Sequence, residues 1–292
     1  MQRRMFALAV GSGLAGLATA TQAKNSNGTE SIAEAIAAAE AASGGRLGVC
    51  ILDTASGRRA GHRADERFPM CSTFKLLAAA RVLQRVDAGR EQLARPIAIP
   101  RSAILPHSPL TEPRVGGHMT MAELCEAAIT QSDNAAANLM LASFGGPAGL
   151  TRYLRTLGDG VTRLDRTEPT LNESTPGDPR DTTTPAAMLG LLQTLLIGNA
   201  LKPASRDQLR DWLLANKTGD GRLRARLPGG WRVGDKTGSG AHGSHNDVGI
   251  VFPPGRPPLL VATYLTQTTA PLEQRNATLA AVGGLLPAIA GI

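Results

Sequence analysis

The sequence is poor in aromatic side chains: nine stand among its 292 residues. With so few rings to stack on bases, and with Lys and Arg scattered among Asp and Glu, the formal charge of +7 does not mark a nucleic-acid face. It describes a solvated surface with some pull on small anions. Cysteine is scarcer still. Cys50, Cys71 and Cys125 form an odd set with no C-x-x-C spacing, which argues against a disulfide framework or a zinc site and for buried free thiols. The histidines, His62, His107, His118, His242 and His245, fall in no H-E-x-x-H motif, and no serine sits in a G-x-S-x-G elbow. His242 and His245 have a spacing open to metal ligation, but in a polar turn they read as solvated side chains. No metal or cofactor is expected.

Long apolar runs are missing except at the start. Arg3 and Arg4 precede MFALAVGSGLAGLATA, and small residues suited to cleavage follow at Ala18-Thr19-Ala20 or Thr21-Gln22-Ala23. Residues 1–23 read as a signal peptide, too short and glycine-rich to span a bilayer, and RRMF loosely fits the twin-arginine type. The mature protein is expected to be soluble, monomeric, free of membrane contact, and periplasmic or secreted.

What is present is ample apolar content, 42%, enough for one large core or two modest ones without metal or disulfide staples. ESIAEAIAAAEAA reads as a helix stopped by Gly44-Gly45, RLGVCILDT and RAGHRAD as paired strands, and WRVGDKTG, NDVGIVF and PLLVATYL as three more strands near the other end. A helix-like EQRNATLAAVGGLLPAIA, weakened by its glycine pair and Pro287, closes the chain. Between these ends, STFKLLAAARVLQRVDAG, MTMAELCEAAITQ, NAAANLMLASFG and three further segments carry apolar residues at helical spacing. The fold class predicted is mixed α/β (α+β): an antiparallel sheet flanked by the terminal helices, with an all-helical region inserted. The expected division is 24–66 with 216–292 for the sheet domain and 67–215 for the helical one. Within the latter, DRTEPTLNESTPGDPRDTTTP is neither helix nor strand, and reads as an Ω-shaped loop over 165–182.

MCSTFK offers three neighbouring nucleophiles, Cys71, Ser72 and Thr73. At the first turn of a helix, the Ser72 Oγ meets unpaired N–H groups and the positive end of the dipole, a place suited to an oxyanion. Lys75, three residues on, shares its face, whereas Cys71 and Thr73 point elsewhere. Alone, S-x-x-K is a weak signal. Its company is SDN at Ser132 to Asn134, EPTLN at Glu168 to Asn172, and KTGSG at Lys236 to Gly240, in that order and each at a boundary or loop.

These motifs closely resemble those of the class A serine β-lactamases, over essentially the whole mature chain. The resemblance implies that Ser72 is the acylated nucleophile and Lys75 its partner in proton transfer. Ser132 passes a proton to the lactam nitrogen, and Asn134 holds the acylamino side chain. Lys236, Thr237 and Ser239 take the substrate carboxylate. Arg222 matches the alternative to an arginine that some members carry just after K-T-G, where Ser244 and His245 stand here. His107 is taken as a further substrate-binding position, and the oxyanion donors are the main-chain N–H groups of Ser72 and Ser239. Glu168, with Asn172, replaces the missing histidine by activating a water, and whether Lys75 or Glu168 starts acylation stays open. Arg166 and Asp181 clip the Ω-loop, and a cis Glu168–Pro169 bond is implied.

Two disulfides found in relatives have no counterpart: the partner positions for Cys125 and Cys71 are Ala79 and Gly240. No intramolecular bridge is expected, although sequence alone leaves Cys50 open to pairing. Glycine at 240 weakens a carbapenemase reading, and CS before the lysine together with KTGSG is closer to the cephalosporin-active, broad-spectrum members. Hydrolysis of penicillins and cephalosporins, and antibiotic resistance, are the implied function. The rival readings are a penicillin-binding D-Ala-D-Ala carboxypeptidase or transpeptidase, which has no use for EPTLN, and an exported module that binds cell-wall peptide without turnover.

Overall fold

The computed structural model describes residues 31–292, and the expected signal peptide lies outside the described residues. An alanine-rich helix α1 (31–43) leads into strand β1 (Arg46–Asp53), which turns back as β2 (Arg59–His62). The short β3 (Phe68–Pro69) ends just before a 3-10 turn, Cys71–Thr73, and the helix α2 (Phe74–Asp87). A ribbon of β4 (Pro96–Ala98) and β5 (His118–Thr120) precedes α3 (Met121–Thr130), α4 (Asn134–Ala142) and α5 (Gly146–Thr156). After the loop come β6 (Thr182–Thr183), paired with β3, then α6 (Pro185–Leu196) and α7 (Pro203–Leu214). Strands β7 (Arg232–Ser239), β8 (His245–Phe252) and β9 (Leu259–Thr266) follow, and α8 (Leu272–Gly283) and α9 (Leu286–Ala290) close the chain. The closing segment is thus two helices, interrupted where the glycine pair weakens the pattern.

The main sheet is antiparallel, in the order β2-β1-β9-β8-β7, so both ends of the chain build it together. Both of its faces are covered, which is why its central strands read as apolar runs rather than alternating ones. On β1, Leu47, Val49 and Ile51 pack with Ile36, Leu279 and Leu286 of the terminal helices, while Cys50 and Leu52 face the opposite core. On β9, Leu259, Val261 and Leu265 join the first set, and Leu260, Ala262 and Tyr264 the second. Gly48 leaves room for Phe68, whose ring a β-carbon at that position would strike.

Helix α2 runs through the middle of the helical region with Leu76, Leu77, Ala78, Ala79, Ala80, Val82 and Leu83 all buried. Its first two turns, Phe74 to Ala80, are buried on every side, which holds the residues just before them rigidly, and those residues carry the site. Helix α3 starts from a capping box formed by Thr120 and Glu123. The cap of α4 is Asp133, which accepts the Ala136 N–H at 2.9 Å. Among the described residues no helix is long and apolar enough to cross a membrane.

Cys50, Cys71 and Cys125 are free and buried. Cys71 lies fully inside, its sulfur 3.4 Å from Ser174 Oγ, and burial pushes its thiol up to about 12. Burial raises the Cys50 and Cys125 thiols as well. Since thiolate is the reactive form, folded protein at pH 8 should react negligibly with a thiol reagent within minutes, whereas protein denatured without reductant should release three equivalents. A count of one after denaturation would reveal a disulfide.

Candidate active site

Ser72 sits in the 3-10 turn rather than in α2 itself, and the turn is entered through Cys71 at φ +46°. A non-glycine residue in the left-handed region is costly and persists only where packing over-determines it. Here the Met70 N–H donates to Asp181 O at 2.9 Å, and the Asn246 amide donates to the carbonyls of Pro69 and Met70 at 2.9 and 3.1 Å. The turn is thereby stapled to the Ω-loop on one side and to β8 on the other. Gly238 completes the fit: a β-carbon there would stand 2.8 Å from Met70 O and 3.2 Å from Ser72 N. The bare main chain of β7 therefore runs directly beside the nucleophile.

Ser72 Oγ donates to Glu168 Oε1 at 3.2 Å, and Lys75 Nζ reaches the same oxygen at 3.1 Å. Both Lys75 and the Glu168 side chain are shielded from solvent. The amine also donates to Ser132 O at 2.6 Å and to Asn134 Oδ1 at 2.7 Å, with Ser132 Oγ at 3.3 Å. Burial pulls the Lys75 pKa below the ordinary lysine range, and the attraction of Glu168 only partly opposes it. From the other side, Lys236 Nζ donates to Ser132 Oγ at 3.1 Å and to Thr237 O at 2.9 Å. Burial, with Lys75 and Arg222 nearby, pulls Lys236 well below its usual value. Ser132, at φ +57°, thus carries its hydroxyl between two buried amines, an arrangement fit to pass a proton.

The Glu168 carboxylate is aimed by its neighbours. Asn172 Nδ2 donates to Oε2 at 2.5 Å, and Glu168 follows the loop into a cis bond with Pro169. Asn138 grips the main chain on both sides, accepting the Glu168 N–H at 3.0 Å and donating to its carbonyl at 2.9 Å. Sequence reading missed Asn138. The signal was its place four residues after Asn134, on the same helix face.

Asp133, the middle residue of SDN, is also more than a cap. It takes the N–H groups of Leu110 and Thr111 and the Thr111 hydroxyl at 2.9–3.0 Å, fixing the loop that carries His107. Asn134 Nδ2 donates to Pro106 O at 2.8 Å. His107 is exposed, its Nε2 2.9 Å from Gln131 O.

This network opens onto one cleft of about 350 Å3, bounded by Ser72, His107, Ser132, Asn134, Asn172, Thr218, Arg222, Thr237, Gly238 and Ser239. Arg222 is almost wholly buried. Its Nη1 donates to the carbonyls of Gly238 and Asn246 at 2.9 and 2.6 Å, and its Nη2 reaches Ser239 Oγ at 3.0 Å. Its charge therefore meets the cleft through the Ser239 hydroxyl.

His245 requires a correction. It is a buried residue on β8, paired with Ser239 and Leu265 on either side, and not a solvated turn side chain. Its Nε2 is 2.7 Å from Asn276 Oδ1. Burial and the Arg222 charge push it down to about 4, so it is neutral at ordinary pH. His242 does lie exposed in the turn. Among the described residues no His, Cys, Asp and Glu cluster is fit to hold a metal.

The Ω-loop closes where Arg166 Nε donates to Asp181 Oδ2 at 2.6 Å, while the N–H groups of Asp165 and Arg166 donate to Asp181 Oδ1 at 2.7 and 2.9 Å. Arg166 adds Glu173 at 2.5 Å.

A serine whose hydroxyl faces a carboxylate shared with a buried amine, beside bare strand main chain and a second serine held between two buried amines, is the site of an acyl-transferring serine hydrolase that works without histidine. A model described as the Beta-lactamase enzyme family matches residues 31–287. Beta-lactamase CTX-M-8 of Citrobacter amalonaticus is 48% identical over 255 residues, 87% of this chain and 88% of the relative. Beta-lactamase AST-1 of Nocardia asteroides is 50% identical over 241 residues, 82% of this chain and 78% of the relative. The solved ancestral (GNCA) class A β-lactamase superimposes with a TM-score of 0.86 at 62% identity, covering 87% of this chain and 98% of that one. The chain belongs to the class A serine β-lactamases, hydrolases that open the β-lactam ring and underlie resistance to these antibiotics.

Removing the loop clip tests the geometry. Arg166→Ser leaves Asp181 fully buried with main-chain donors alone, at a cost of about 2 kcal/mol. Differential scanning calorimetry should show a Tm lower by roughly 4–8 °C, and an unchanged Tm would show that the clip carries no stability.

Proposed function

We propose that this chain hydrolyses penicillins and cephalosporins through an acyl-enzyme on Ser72, released by water that Glu168 activates. The observation that carries this reading is the direct 3.2 Å hydrogen bond from Ser72 Oγ to Glu168 Oε1, with Lys75 on the same oxygen. In acylation, Ser72 Oγ attacks the lactam carbonyl as its proton passes to the Glu168 carboxylate or, when Lys75 is the neutral amine, to Lys75. The C–N bond breaks, and the nitrogen takes the Ser132 hydroxyl proton, replaced from Lys75 or Lys236; the proton on Glu168 then passes to Lys75 and refills that network, leaving Glu168 a carboxylate again. The main-chain N–H groups of Ser72 and Ser239 meet the oxyanion, a role favoured by the close approach that Gly238 allows. Asn134, which keeps an amide hydrogen beyond its bond to Pro106, binds the acylamino carbonyl. The substrate carboxylate docks on Thr237 and Ser239, drawn by Lys236 and by Arg222 behind them, with His107 flanking the entrance. In deacylation, water between Glu168 and Asn172, whose Oδ1 has no protein partner, gives a proton to the Glu168 carboxylate and attacks the ester carbonyl; the C–O bond to Ser72 breaks, and Ser72 Oγ leaves with that proton across its 3.2 Å contact with Glu168.

The same reading makes the protein an exported monomer, periplasmic or secreted. It places the site between a sheet domain, 24–66 with 216–292, and a helical domain, 67–215. Gly240 supports preference for cephalosporins over carbapenems: a β-carbon there would stand 2.7 Å from both Cys71 Sγ and Ser174 Oγ, so the strand end lies tight on the Ω-loop.

Mass spectrometry of variants mixed with a penicillin checks the roles. Glu168→Ala should accumulate a covalent adduct, its deacylation slowed by ~10²–10⁴-fold and its acylation less so because Lys75 remains. Ser72→Ala should form none, and Cys71→Ala should acylate and turn over. Wild-type turnover by Glu168→Ala would refute the glutamate assignment.

A further inference from the structure

Beside Thr237, a line of polar side chains starts from Thr218 at the cleft wall and leads into the core. Asp235 is fully buried on β7, where it accepts Arg224 Nη2 at 2.6 Å, Arg224 Nε at 3.0 Å and Asn216 Nδ2 at 2.5 Å. A carboxylate only accepts, so the Asn216 amide is fixed with Oδ1 turned the other way, toward Thr218. That oxygen accepts the Thr218 main-chain N–H at 3.1 Å and lies 2.8 Å from Thr218 Oγ1. Thr218 Oγ1 is in turn 2.5 Å from Thr237 Oγ1. Gly219 allows this close lie, since a β-carbon there would collide with Asp235.

Counting protons leaves two arrangements. The Thr218 hydroxyl has one proton and two acceptors in reach, Asn216 Oδ1 and Thr237 Oγ1. When it donates to Asn216, Thr237 must donate back to Thr218, and only Thr237 lone pairs face the cleft. When it donates to Thr237, the Thr237 proton is freed to point into the cleft. Asn216 Oδ1 then keeps the Thr218 N–H, so the reversal leaves no buried acceptor unpaired. An anion in the cleft selects the second arrangement, and donation into the Thr237 oxygen strengthens the bond that Thr237 gives.

We propose that Thr218 is a positioning residue for the substrate carboxylate, a hydroxyl whose rotation, backed by Asn216 and Asp235, turns Thr237 from acceptor to donor as a β-lactam docks. The inference rests on the functional reading above. It also accounts for a hydroxyl at this place: a single group must accept in one arrangement and donate in the other, which neither an amide carbonyl nor a methyl does.

The test compares steady-state kinetics of wild type, Thr218→Val and Thr218→Ser on a penicillin and on its methyl ester, with Tm as a control for folding. Thr218→Val should raise KM for the free acid roughly tenfold, the loss of one hydrogen bond to a charged group, with kcat within about twofold. On the ester, which has no carboxylate to bind, kcat/KM should stay at the wild-type value, and Thr218→Ser should restore the free-acid KM. In a double-mutant cycle, Thr218→Val added to Thr237→Val should cost nothing further. Equal loss on acid and ester, full additivity in the cycle, or failure of serine to rescue would each overturn the inference while leaving hydrolysis intact. A wild-type chain that turns over neither compound would overturn the functional reading and this inference with it.

Discussion

One carboxylate oxygen organises this protein. Glu168 Oε1 stands 3.2 Å from the Ser72 hydroxyl and 3.1 Å from the Lys75 amine, with all solvent excluded from the two charged side chains. Two opposite charges out of water attract strongly, but desolvation consumes most of that gain, and the pair persists only where other hydrogen bonds hold it. Those bonds come from four residues in two parts of the chain: Ser132, Asn134 and Asn138 at the start of and along α4, and Asn172 in the Ω-loop. Removing any one loosens a buried ion that has no water to fall back on.

The architecture follows from keeping that oxygen in place. The first two turns of helix α2 are buried on every side and present Lys75 from a rigid support, while the strained turn at Cys71 lifts Ser72 toward Glu168. Strand β7 brings Lys236 against Ser132, so the two halves of the cleft touch through a serine hydroxyl bridging two amines. The Ω-loop has no regular core of its own. Asp181 closes it on Arg166 and accepts the Met70 N–H with its main-chain carbonyl, while Leu171 sinks into the core, so the same aspartate ties the loop to the turn that bears the nucleophile.

Much of this was legible in the sequence, because the chemistry is carried by short local motifs and because strands covered on both faces leave apolar runs such as RLGVCILD. Ser72, Lys75, Ser132, Glu168 and Lys236 were nameable from S-x-x-K, SDN, EPTLN and KTG, and the structure gathers them within hydrogen-bond reach of one another. What escaped was supplied by long-range partners. Asn138 looks like any polar residue on a helix until Glu168, thirty positions on, closes over it. The line from Arg224 through Asp235, Asn216 and Thr218 joins residues from both sides of a loop and carries no spacing signal. His245 was misread because GSGAHGSHND has the composition of a turn, whereas pairing with β7 and β9 extends the strand back over it and buries the ring.

If the site works by holding one carboxylate at a fixed place, moving that carboxylate must cost more than its charge would suggest. Glu168→Asp keeps the charge and withdraws the oxygens by about one carbon–carbon bond, ~1.5 Å. The measurement is the deacylation rate constant of this variant, read by quenched-flow mass spectrometry of the Ser72 adduct with a penicillin. The account predicts a fall of roughly 10²-fold, the scale expected when a reacting group is displaced by about 1 Å. Deacylation at the wild-type rate would contradict it, showing that a negative charge near Ser72 suffices and that the grip of Asn138 and Asn172 on Glu168 serves no catalytic end.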